Sequence, residues 1–281
     1  MIAPAGSVAE RNASAAPAVF EFIHAGKSFI TNEGKVLTAL QDATFSVRQG
    51  EFVAIVGPSG CGKTTTLNIL AGLTDATSGE VLLNGASPGA SKLDIGYVFQ
   101  QDSVLPWRRV IDNVELGLSL RKVPRAERRR KAEALLRMTG LDAFATAFPS
   151  ELSGGMRKRV ALAMTLAYDP VLLLMDEPFG ALDAQTRVVL QDELLRIWNM
   201  QKQTVLFVTH DIAEAIALAD RVIVMTARPA RIKKVYEIAL RRPRGAAEAR
   251  YEPGFDDYYK SIWEDLRPEI DAQRQISGGN A

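Results

Sequence analysis

The sequence predicts an α/β fold with a three-layer core, in which helices cover a parallel sheet, and a helical insert near the middle of the chain. Short apolar runs of strand length, such as VLLLM and TVLFV, alternate with segments whose apolar residues have helical spacing. This order is typical of layered α/β domains. Between about residues 102 and 165 two segments, VIDNVELGLSL and PRAERRRKAEALLRM, have helical spacing, bounded by Pro106, Pro124 and Pro149.

Five segments are predicted to be strands of the core. EFVAIVG (51–57) is a β-branched apolar run that leads into glycines and then a helix. EVLLNG (80–85) and DIGYVFQ (94–100) are further strands. VLLLMDE (171–177) and TVLFVTH (204–210) are continuously apolar, as strands buried on both faces of a parallel sheet are.

The last third of the chain continues the alternation. The segment 187–201 has helical spacing, DIAEAIALA forms a short helix that Asp211 is placed to cap, and RVIVM is a strand. RIKKVYEIAL and a final helix over 255–270 follow as an appendix. We therefore divide the chain into a disordered N-terminal tail (1–18), a main domain (19–230, with a helical subdomain at about 102–165) and a C-terminal extension (231–281).

Composition restricts the class of partner and the compartment. The 281 residues carry a formal net charge of +1, so no broad positive field favours nucleic acid. The single cysteine, Cys61, excludes an internal disulfide and suits a reducing compartment. The N-terminus lacks the charged and apolar regions of a signal peptide, and no apolar run approaches the roughly 20 residues that span a bilayer. We expect a soluble chain.

GPSGCGKTT (57–65) matches the phosphate-binding pattern G-x-x-x-x-G-K-[ST], between a strand and a helix. Its glycines let successive N–H groups turn inward around phosphate oxygens, and the helix start adds a positive partial charge. Lys63 is expected to reach the β- and γ-phosphates, and the Thr64 hydroxyl to bind Mg²⁺. The residues predicted to contact the nucleotide are Gly57, Pro58, Ser59, Gly60, Cys61, Gly62, Lys63, Thr64 and Thr65.

Asp176 and Glu177 follow a predicted buried strand and supply the carboxylates that phosphoryl transfer needs. Asp176 is placed to organise Mg²⁺, and Glu177 to polarise the attacking water. The alternative is an acidic pair at a helix N-terminus, which Pro178 would also suit. The phosphate-binding loop upstream favours the catalytic interpretation.

Six motifs follow one another in a fixed order along the chain: GPSGCGKTT, Gln100 in YVFQ, LSGGM (152–156), VLLLMDEP, ALD (181–183) and His210 in VTHD. With these motifs the chain resembles an ATP-binding subunit of an ABC transporter. The resemblance covers about residues 19–230. It implies a P-loop NTPase (RecA-like) core with an antiparallel β subdomain and an inserted α-helical subdomain. It also implies ATP and Mg²⁺ as cofactors, and ATP hydrolysis coupled to transport.

The resemblance also assigns roles outside the P-loop. Phe29 is implied to stack on adenine, with an ordinary core strand residue as the alternative. Gln100 is implied to touch Mg²⁺ or water, and His210 to hold the γ-phosphate and the water in line with Glu177. The other histidine, His24, falls in no motif and is expected at the surface.

The second glycine motif is explained by the same resemblance. In this family two copies pack head to tail. Ser153, Gly154 and Gly155 of each copy then contact the ATP held by the other copy, and Asp183 lies at the same contact. ATP binding therefore closes the pair, and hydrolysis releases it.

The insert resembles the part of importer ATPases that couples to the membrane. PW shortly after Gln100, together with EPFGALDA (177–184), is similar to importers of nitrate, alkanesulfonates and taurine. Trp107 and Leu105 are expected in a groove for a helix of the membrane subunit, unless Trp107 packs within the insert. The implied partners are a second copy, integral membrane permease subunits and, indirectly, a solute-binding protein. The implied location is the cytoplasmic face of the inner (plasma) membrane.

Other function classes are weighed against motifs. A GTPase switch would need N-K-x-D, and a small-molecule kinase would lack LSGGM. A chromosome-maintenance ATPase would carry a very long coiled coil in place of the short insert. An ABC system for another solute, such as a pyrimidine or thiamine precursor, an exporter, and a soluble ABC ATPase stay open.

Three charged or amphipathic segments receive plainer interpretations. The basic cluster 128–131 is expected to be a solvated helix face, and the arginines at 241, 242 and 244 a solvated linker, with contact to anionic lipid as the alternative. The final helix carries an apolar stripe that is expected to dock on its own domain. The stripe consists of Tyr258, Tyr259, Ile262, Trp263 and Leu266.

Overall fold

The computed structural model describes residues 18–91, 94–101, 103–180 and 182–278. All of the predicted tail except Ala18 lies outside the described residues, and so does Ala181 of the ALD motif.

Two sheets form the framework of the molecule. A three-stranded antiparallel sheet has the order β2–β1–β4, and a six-stranded sheet has the order β5–β6–β7–β3–β8–β9. Neighbours in the larger sheet are parallel, except that β9 is antiparallel to β8. The strands are β1 (Ala18–Ile30), β2 (Val36–Arg48), β3 (Phe52–Val56), β4 (Ser78–Leu83), β5 (Ile95–Val98), β6 (Leu172–Asp176), β7 (Thr204–Thr209), β8 (Arg221–Met225) and β9 (Ile232–Glu237).

Helices connect the strands and build the insert. The connecting helices are α1 (Lys63–Leu70), α5 (Gly154–Leu166), α6 (Ala184–Gln201) and α7 (Ile212–Leu218). The insert adds α2 (Val110–Val114), α3 (Leu116–Leu120) and α4 (Arg125–Met138), and the chain continues to α8 (Phe255–Gly278). The predicted cap of α7 is present, because the Asp211 carboxylate accepts the Glu214 N–H at 3.2 Å.

The central strands are buried on both faces, as their continuous apolar sequence predicts. Every residue of β3, β6 and β7 is buried. Ala54 and Val56 face the core formed with the later helices and the insert, whereas Val53 and Ile55 face the core formed with α1 and the small sheet. The three-layer α/β core, the antiparallel β subdomain and the helical insert are therefore confirmed.

The larger sheet continues across the boundary expected between residues 230 and 231. β9 pairs with β8 from Arg221–Glu237 to Met225–Ile232, so the start of the extension is the edge strand of the core sheet. α8 then packs on α7 and β8. Its stripe is divided: Ile262 and Leu266 are buried, whereas Tyr259 and Trp263 are 40% and 42% exposed. The helix extends past the expected end, residue 270, to Gly278.

The expectation of a solvated linker at the late arginines is wrong for two of the three. Arg244 is buried and donates to the carbonyls of Ala217 (2.8 Å) and Ala219 (2.5 Å) at the end of α7. Burial, followed by the repulsion of Arg242, lowers the pKa of Arg244 to about 10. Arg242 pairs with Asp220 at 2.8 Å. A helix end leaves carbonyls without intrahelical partners, and here an arginine from a later segment satisfies them.

The basic cluster of α4 is a paired face and not simply a solvated one. Arg128 and Arg129 both bind the Glu115 carboxylate, at 2.8 and 3.0 Å, and Lys131 pairs with Asp169. Arg130 is exposed. Because Glu115 is itself buried, these pairs fasten α4 to the start of α3.

Two simpler expectations concern the surface. His24 is exposed, and its Nδ1 lies 2.6 Å from Asp42 Oδ1, so its surface position is confirmed. Over the described parts of the chain, no helix has both the length and the apolar character that a membrane crossing requires.

Candidate functional site

A cavity of about 390 Å³ lies where β3 ends and α1 begins, at the carboxyl edge of the parallel strands. Open α/β sheets bind their ligands at this edge. The lining brings together Phe29, Leu37, Ala39, Ser59, Gly60, Gly62, Lys63, Thr64, Thr65, Gln100, Asp176, Glu177 and Arg228. Segments far apart in the sequence therefore share one concave surface.

Lys63 is the buried cation of this cavity, with 5% of its surface exposed. Its Nζ donates to the carbonyls of Gly57 (2.9 Å) and Pro58 (3.0 Å) and lies 3.9 Å from Glu177 Oε1. The ammonium group thus bridges the loop backbone and a carboxylate beside the N-terminus of α1, where a bound anion would be favoured.

The glycines of the loop are required by its geometry. Gly60 and Gly62 have φ angles of 75° and 136°, in the region that side chains disfavour. A Cβ on Gly62 would also lie 2.8 Å from the Ala39 carbonyl oxygen. Cys61 is buried beneath the loop, and burial raises the pKa of its thiol. Its position indicates packing and no chemistry.

Asp176 and Thr64 form an oxygen-rich pair in the cavity. Asp176, the last residue of β6, is buried, and it lines the cavity together with Thr64. Burial raises the pKa of Asp176, and the Thr64 side chain opposes that rise. With the side-chain amide of Gln100 on the same wall, these oxygen donors are of the type that Mg²⁺ prefers.

Three side chains converge on the Glu177 carboxylate. Gln100 Nε2 lies 3.3 Å from Oε2, and His210 Nδ1 lies 3.2 Å from the same oxygen. Lys63 approaches the other oxygen. A carboxylate with orienting partners within hydrogen-bond reach has the geometry of a general base.

The backbone of Glu177 is strained. Its φ angle is 42°, which is unusual for a residue with a Cβ and costs about 1–3 kcal/mol. The Glu177 N–H donates to the Val208 carbonyl at 2.9 Å, so the neighbouring strand β7 holds the residue in place. Strain of this kind is most often retained where a side chain must be aimed.

The remaining predicted residues of the first site lie nearby. Phe29 lines the cavity and is 40% exposed, so the alternative that it is a core residue is wrong. His210, by contrast, lines a second cleft of about 400 Å³ on the other side of the P-loop. That cleft is shared with Pro58, Ser59 and residues of α8, including Gln273.

The second glycine motif is separate from both clefts of the described chain. Ser153 caps α5, since its Oγ accepts the Met156 N–H at 3.3 Å, and Asp183 caps α6 by accepting the Thr186 N–H at 3.0 Å. The latter bond lowers the pKa of Asp183. Ser153 and its neighbour Gly154 are exposed, so the start of α5 faces away from its own protomer.

The two glycines of this motif differ in their surroundings. A Cβ on Gly155 would lie 2.6 Å from Thr186 Cγ2, so close packing of α5 on the start of α6 requires glycine there. A Cβ on Gly154 would meet nothing nearer than Arg157 Nη2, at 3.8 Å. Packing within the protomer therefore gives no reason for glycine at position 154.

A third cleft, of about 320 Å³, lies on the insert. Trp107 lines it and is 72% exposed, so the alternative that this ring packs within the insert is wrong. Leu105 is partly buried, and Asn113 holds its backbone through bonds of 2.8 and 3.1 Å. Phe148 and charged residues from α2 to α4 complete the cleft.

Sequence reasoning missed Arg228 and Asn113. Arg228, in the turn between β8 and β9, lines the first cavity and donates to the Gly60 carbonyl. Asn113 is fully buried and shapes the loop that carries Trp107. Both act on backbone carbonyls of distant or irregular segments, and such contacts leave no periodic signal in a sequence.

Comparisons with known proteins agree with the geometry. The sequence profile of the family described as "ABC transporter" matches residues 40–180. An uncharacterised ABC transporter ATP-binding protein of Methanocaldococcus jannaschii is 49% identical over 84% of this chain and 87% of its own length. A taurine import ATP-binding protein of Rhizobium johnstonii is 47% identical over 76% of this chain and 82% of its own length.

A solved structure is also similar. It is the dimeric, post-hydrolysis state of an ATP-binding cassette bound to ADP and Pi, with a TM-score of 0.69 and 32% identity. The match covers 78% of this chain and 98% of that one.

Proposed function

We propose that this chain, which belongs to the ABC transporter family as an ATP-hydrolysing subunit, powers the import of a small anionic solute. Nitrate, an alkanesulfonate and taurine are examples of such a solute. The convergence of Lys63, Gln100 and His210 on Glu177 beside the P-loop is the observation that carries the ATP-hydrolysing part of the proposal. The taurine-import relative supports the class of solute.

ATP is held by the first cavity in this proposal. The exposed ring of Phe29 offers a face on which adenine stacks. The N–H groups of the P-loop surround the phosphates, and Lys63 exchanges its carbonyl partners for phosphate oxygens. Residues 19–230, together with β9, make up this nucleotide-binding unit, and α8 of the extension packs on α7 and β8 beside the P-loop.

The donor set also fits Mg²⁺. Thr64, Asp176 and Gln100 would hold the ion, and the buried Asp176 carboxylate is balanced by a cation there. When bound, Mg²⁺ supplies charge neutralisation to the β- and γ-phosphates.

Hydrolysis uses Glu177 as the base. The Glu177 carboxylate accepts a proton from water as the water oxygen bonds to the γ-phosphorus, and the bond from that phosphorus to the β–γ bridging oxygen breaks, leaving ADP and phosphate. Gln100 and His210 hold one oxygen of the carboxylate, which keeps the other directed into the cavity. The products are ADP, phosphate and the proton held by Glu177, so the atoms of the step balance.

A second copy of the chain completes the site. Ser153, Gly154 and Gly155 begin α5, and a helix start attracts anions. Gly154 is exposed and no packing within the protomer requires glycine there, which fits the close approach of the partner copy's ATP. Loss of the γ-phosphate removes charge-assisted bonds worth roughly 1.5–3 kcal/mol each, so the pair opens after hydrolysis.

The membrane partner is a permease, and its contact with the insert couples ATP hydrolysis to transport. The cleft around Trp107 offers an exposed aromatic ring among charged residues, as a groove for a short helix does. The chain is then peripheral, at the cytoplasmic face of the inner membrane, and a solute-binding protein delivers the solute to the permease. A soluble ABC ATPase would need no such groove.

Reconstitution tests this function. We expect the chain to co-purify with an integral membrane protein, and the ATPase of the complex in proteoliposomes to rise several-fold with one of taurine, an alkanesulfonate or nitrate. Trp107→Ala is expected to reduce transport at least about tenfold, because hot-spot aromatics carry most of an interface's energy. The basal ATPase of the isolated chain should not change.

Leu120→Ala is the matched control, because Leu120 is a 76% exposed apolar residue of the insert that lies outside the cleft. Transport by this variant should equal that of the wild type. Absence of any membrane partner and of stimulation by these anions would instead favour a soluble ABC ATPase or a system for a different solute.

A further inference from the structure

The turn between β8 and β9 contacts the P-loop through Arg228, which also lines the first cavity. Arg228 donates to the Gly60 carbonyl through Nη2 at 2.7 Å and Nε at 3.2 Å. Lys63 holds the carbonyls of Gly57 and Pro58 from within. Two cations therefore hold the carbonyl oxygens of the loop.

Carbonyl orientation decides whether such a loop attracts or repels phosphate. N–H groups must face the anion, and a carbonyl oxygen turned into the cavity would repel it. Gly60, with a φ angle of 75°, has no Cβ to restrict rotation of its peptide group. The bond from Arg228 supplies the restriction that the residue itself lacks.

Lys63 and Arg228 respond differently when a nucleotide binds in the proposed mechanism. Lys63 is the group that phosphate recruits, so its hold on Gly57 and Pro58 is released in the proposed mechanism. Arg228 donates to a carbonyl, and that bond is compatible with a filled cavity. Arg228 is then the cation that continues to orient the loop.

α8 fixes Arg228 through its backbone. Gln273 Oε1 accepts the Arg228 N–H at 2.9 Å, and Glu269 Oε2 accepts the Ala227 N–H at 2.9 Å. Glu269 and Gln273 are one turn apart on α8, and Gln273 is buried. Glu269 is itself paired with Lys233 at 2.8 Å. The C-terminal helix thus reaches the P-loop through one turn of the chain.

The same turn is tied to the antiparallel sheet. The Ala230 N–H donates to Ala39 at 3.0 Å, and Gln41 donates to the Ala230 carbonyl at 2.8 Å. Ala39 lines the first cavity. The turn is therefore fixed on two sides, by α8 and by β2.

We propose that Arg228 is a positioning residue of the nucleotide site and that α8, through Glu269 and Gln273, keeps it in place, so that nucleotide affinity depends on the C-terminal helix. This inference rests on the proposed function, which places a nucleotide in the first cavity.

Calorimetric titration of the full chain with ATP and with ADP tests it, together with steady-state hydrolysis. Arg228→Met is expected to weaken both nucleotides about tenfold, the effect of losing a charge-assisted bond. KM should rise by a similar factor while kcat stays within about twofold, because Arg228 contacts neither Glu177 nor the attacking water. Arg228→Lys, which keeps a cationic donor, should recover most of the affinity.

Gln273→Ala removes one of the two bonds by which α8 holds the turn, leaves the Glu269 bond and the P-loop sequence intact, and should weaken both nucleotides about threefold. Arg231→Met is the matched control, since Arg231 is an exposed arginine of the same turn, and its affinities should equal those of the wild type. Melting temperatures of all variants identify any that are unfolded. If Arg228→Met is unfolded, the nucleotide dissociation constants of Gln273→Ala test whether α8 supports the site, and unchanged constants would contradict the inference.

Unchanged ATP and ADP dissociation constants for Arg228→Met would overturn the inference, as would a fall in kcat at constant KM. Failure of the proposed function has a different signature. In that case the wild type itself binds no ATP, or Lys63→Ala binds it as well as the wild type does.

Discussion

The two glycine motifs of this chain are alike in sequence and opposite in surroundings. Each precedes a helix, α1 after GPSGCGKTT and α5 after LSGG, so each offers N–H groups to an anion. The P-loop encloses a buried lysine that bonds to its own carbonyls. The start of α5 is exposed, and the protomer places nothing over Gly154 that a side chain would meet closely.

The difference shows how a glycine can indicate function. Glycine in a helix costs up to about 1 kcal/mol relative to alanine, so its presence calls for a cause. At Gly155 the cause is internal, because Thr186 occupies the space of a Cβ. At Gly154 the space is open, which fits the close approach of the partner copy's ATP proposed above. In that proposal one protomer contains one complete anion site and half of another.

Removing the base tests the complete site with the largest expected effect. Glu177→Gln should reduce phosphate release by about 10³-fold, in the range expected for a general base. ATP affinity should be retained, and a dimer should accumulate with ATP, because the P-loop and the start of α5 are both unchanged in this variant. Phosphate release and size-exclusion chromatography with ATP measure these outcomes. Hydrolysis near the wild-type rate would exclude Glu177 as the base.

Glu237→Gln is the control for that experiment. Glu237 lies on the edge strand β9, and its side chain is 78% exposed. Its rate of phosphate release should match that of the wild type.

Filling the half site is expected to have the next largest effect. Gly154→Leu should reduce hydrolysis about 100-fold, as loss of backbone donors to a transition state does, and leave the ATP affinity of the protomer unchanged. The melting temperature should not fall, because Gly154 is exposed and a Cβ there meets no atom nearer than Arg157 Nη2 at 3.8 Å. Full activity with the leucine would show that nothing approaches α5 during turnover.

Gly155→Ala provides the contrast within the same motif. Its Cβ would meet Thr186 Cγ2 at 2.6 Å, so we expect lower thermal stability in addition to lower activity. Equal stability of the two variants would contradict the distinction between the glycines.

A third helix start, that of α7, differs from the other two because a carboxylate of the protein itself, that of Asp211, occupies it. Asp211 caps this helix, and the buried Glu214 accepts a bond from Gln191 at 2.7 Å. Desolvation raises the pKa of Glu214 from 4.5 to about 7. Between these pH values the folded protein keeps a proton that the unfolded chain releases, so stability falls as pH rises through this window.

Glu214→Gln should remove that dependence. The wild type should lose up to about 3 kcal/mol of unfolding free energy between pH 4.5 and pH 8 relative to the variant, which keeps a hydrogen-bonding amide and carries no charge. Urea unfolding at both pH values measures the difference. Parallel pH profiles of the two proteins would show that Glu214 is not the titrating group.

The sequence predicted what depends on local pattern. The continuous apolar runs of β3, β6 and β7 reflect burial on both faces, and residues that follow such strands must meet at one sheet edge. Asp176, Glu177 and the P-loop therefore came together as expected.

Elements that depend on distant partners were not predicted. β9 is an edge strand whose residues are mostly exposed, so its sequence lacks the continuous apolar run of a central strand. Arg244 and Arg228 bind carbonyls of α7 and of the P-loop, and any exposed arginine has the same sequence signature. Only the fold shows which carbonyls need a donor.

The contact of Gly155 with Thr186 has a mechanical consequence. It fastens the exposed start of α5 to the start of α6, and Asp183 at that start follows Glu177 after a turn in which Gly180 donates to the Glu177 carbonyl at 3.1 Å. In the proposed dimer, a displacement of Glu177 would therefore also move the start of α5. The position of one copy's glutamate and the contact that this copy makes with the other copy's ATP would then be linked.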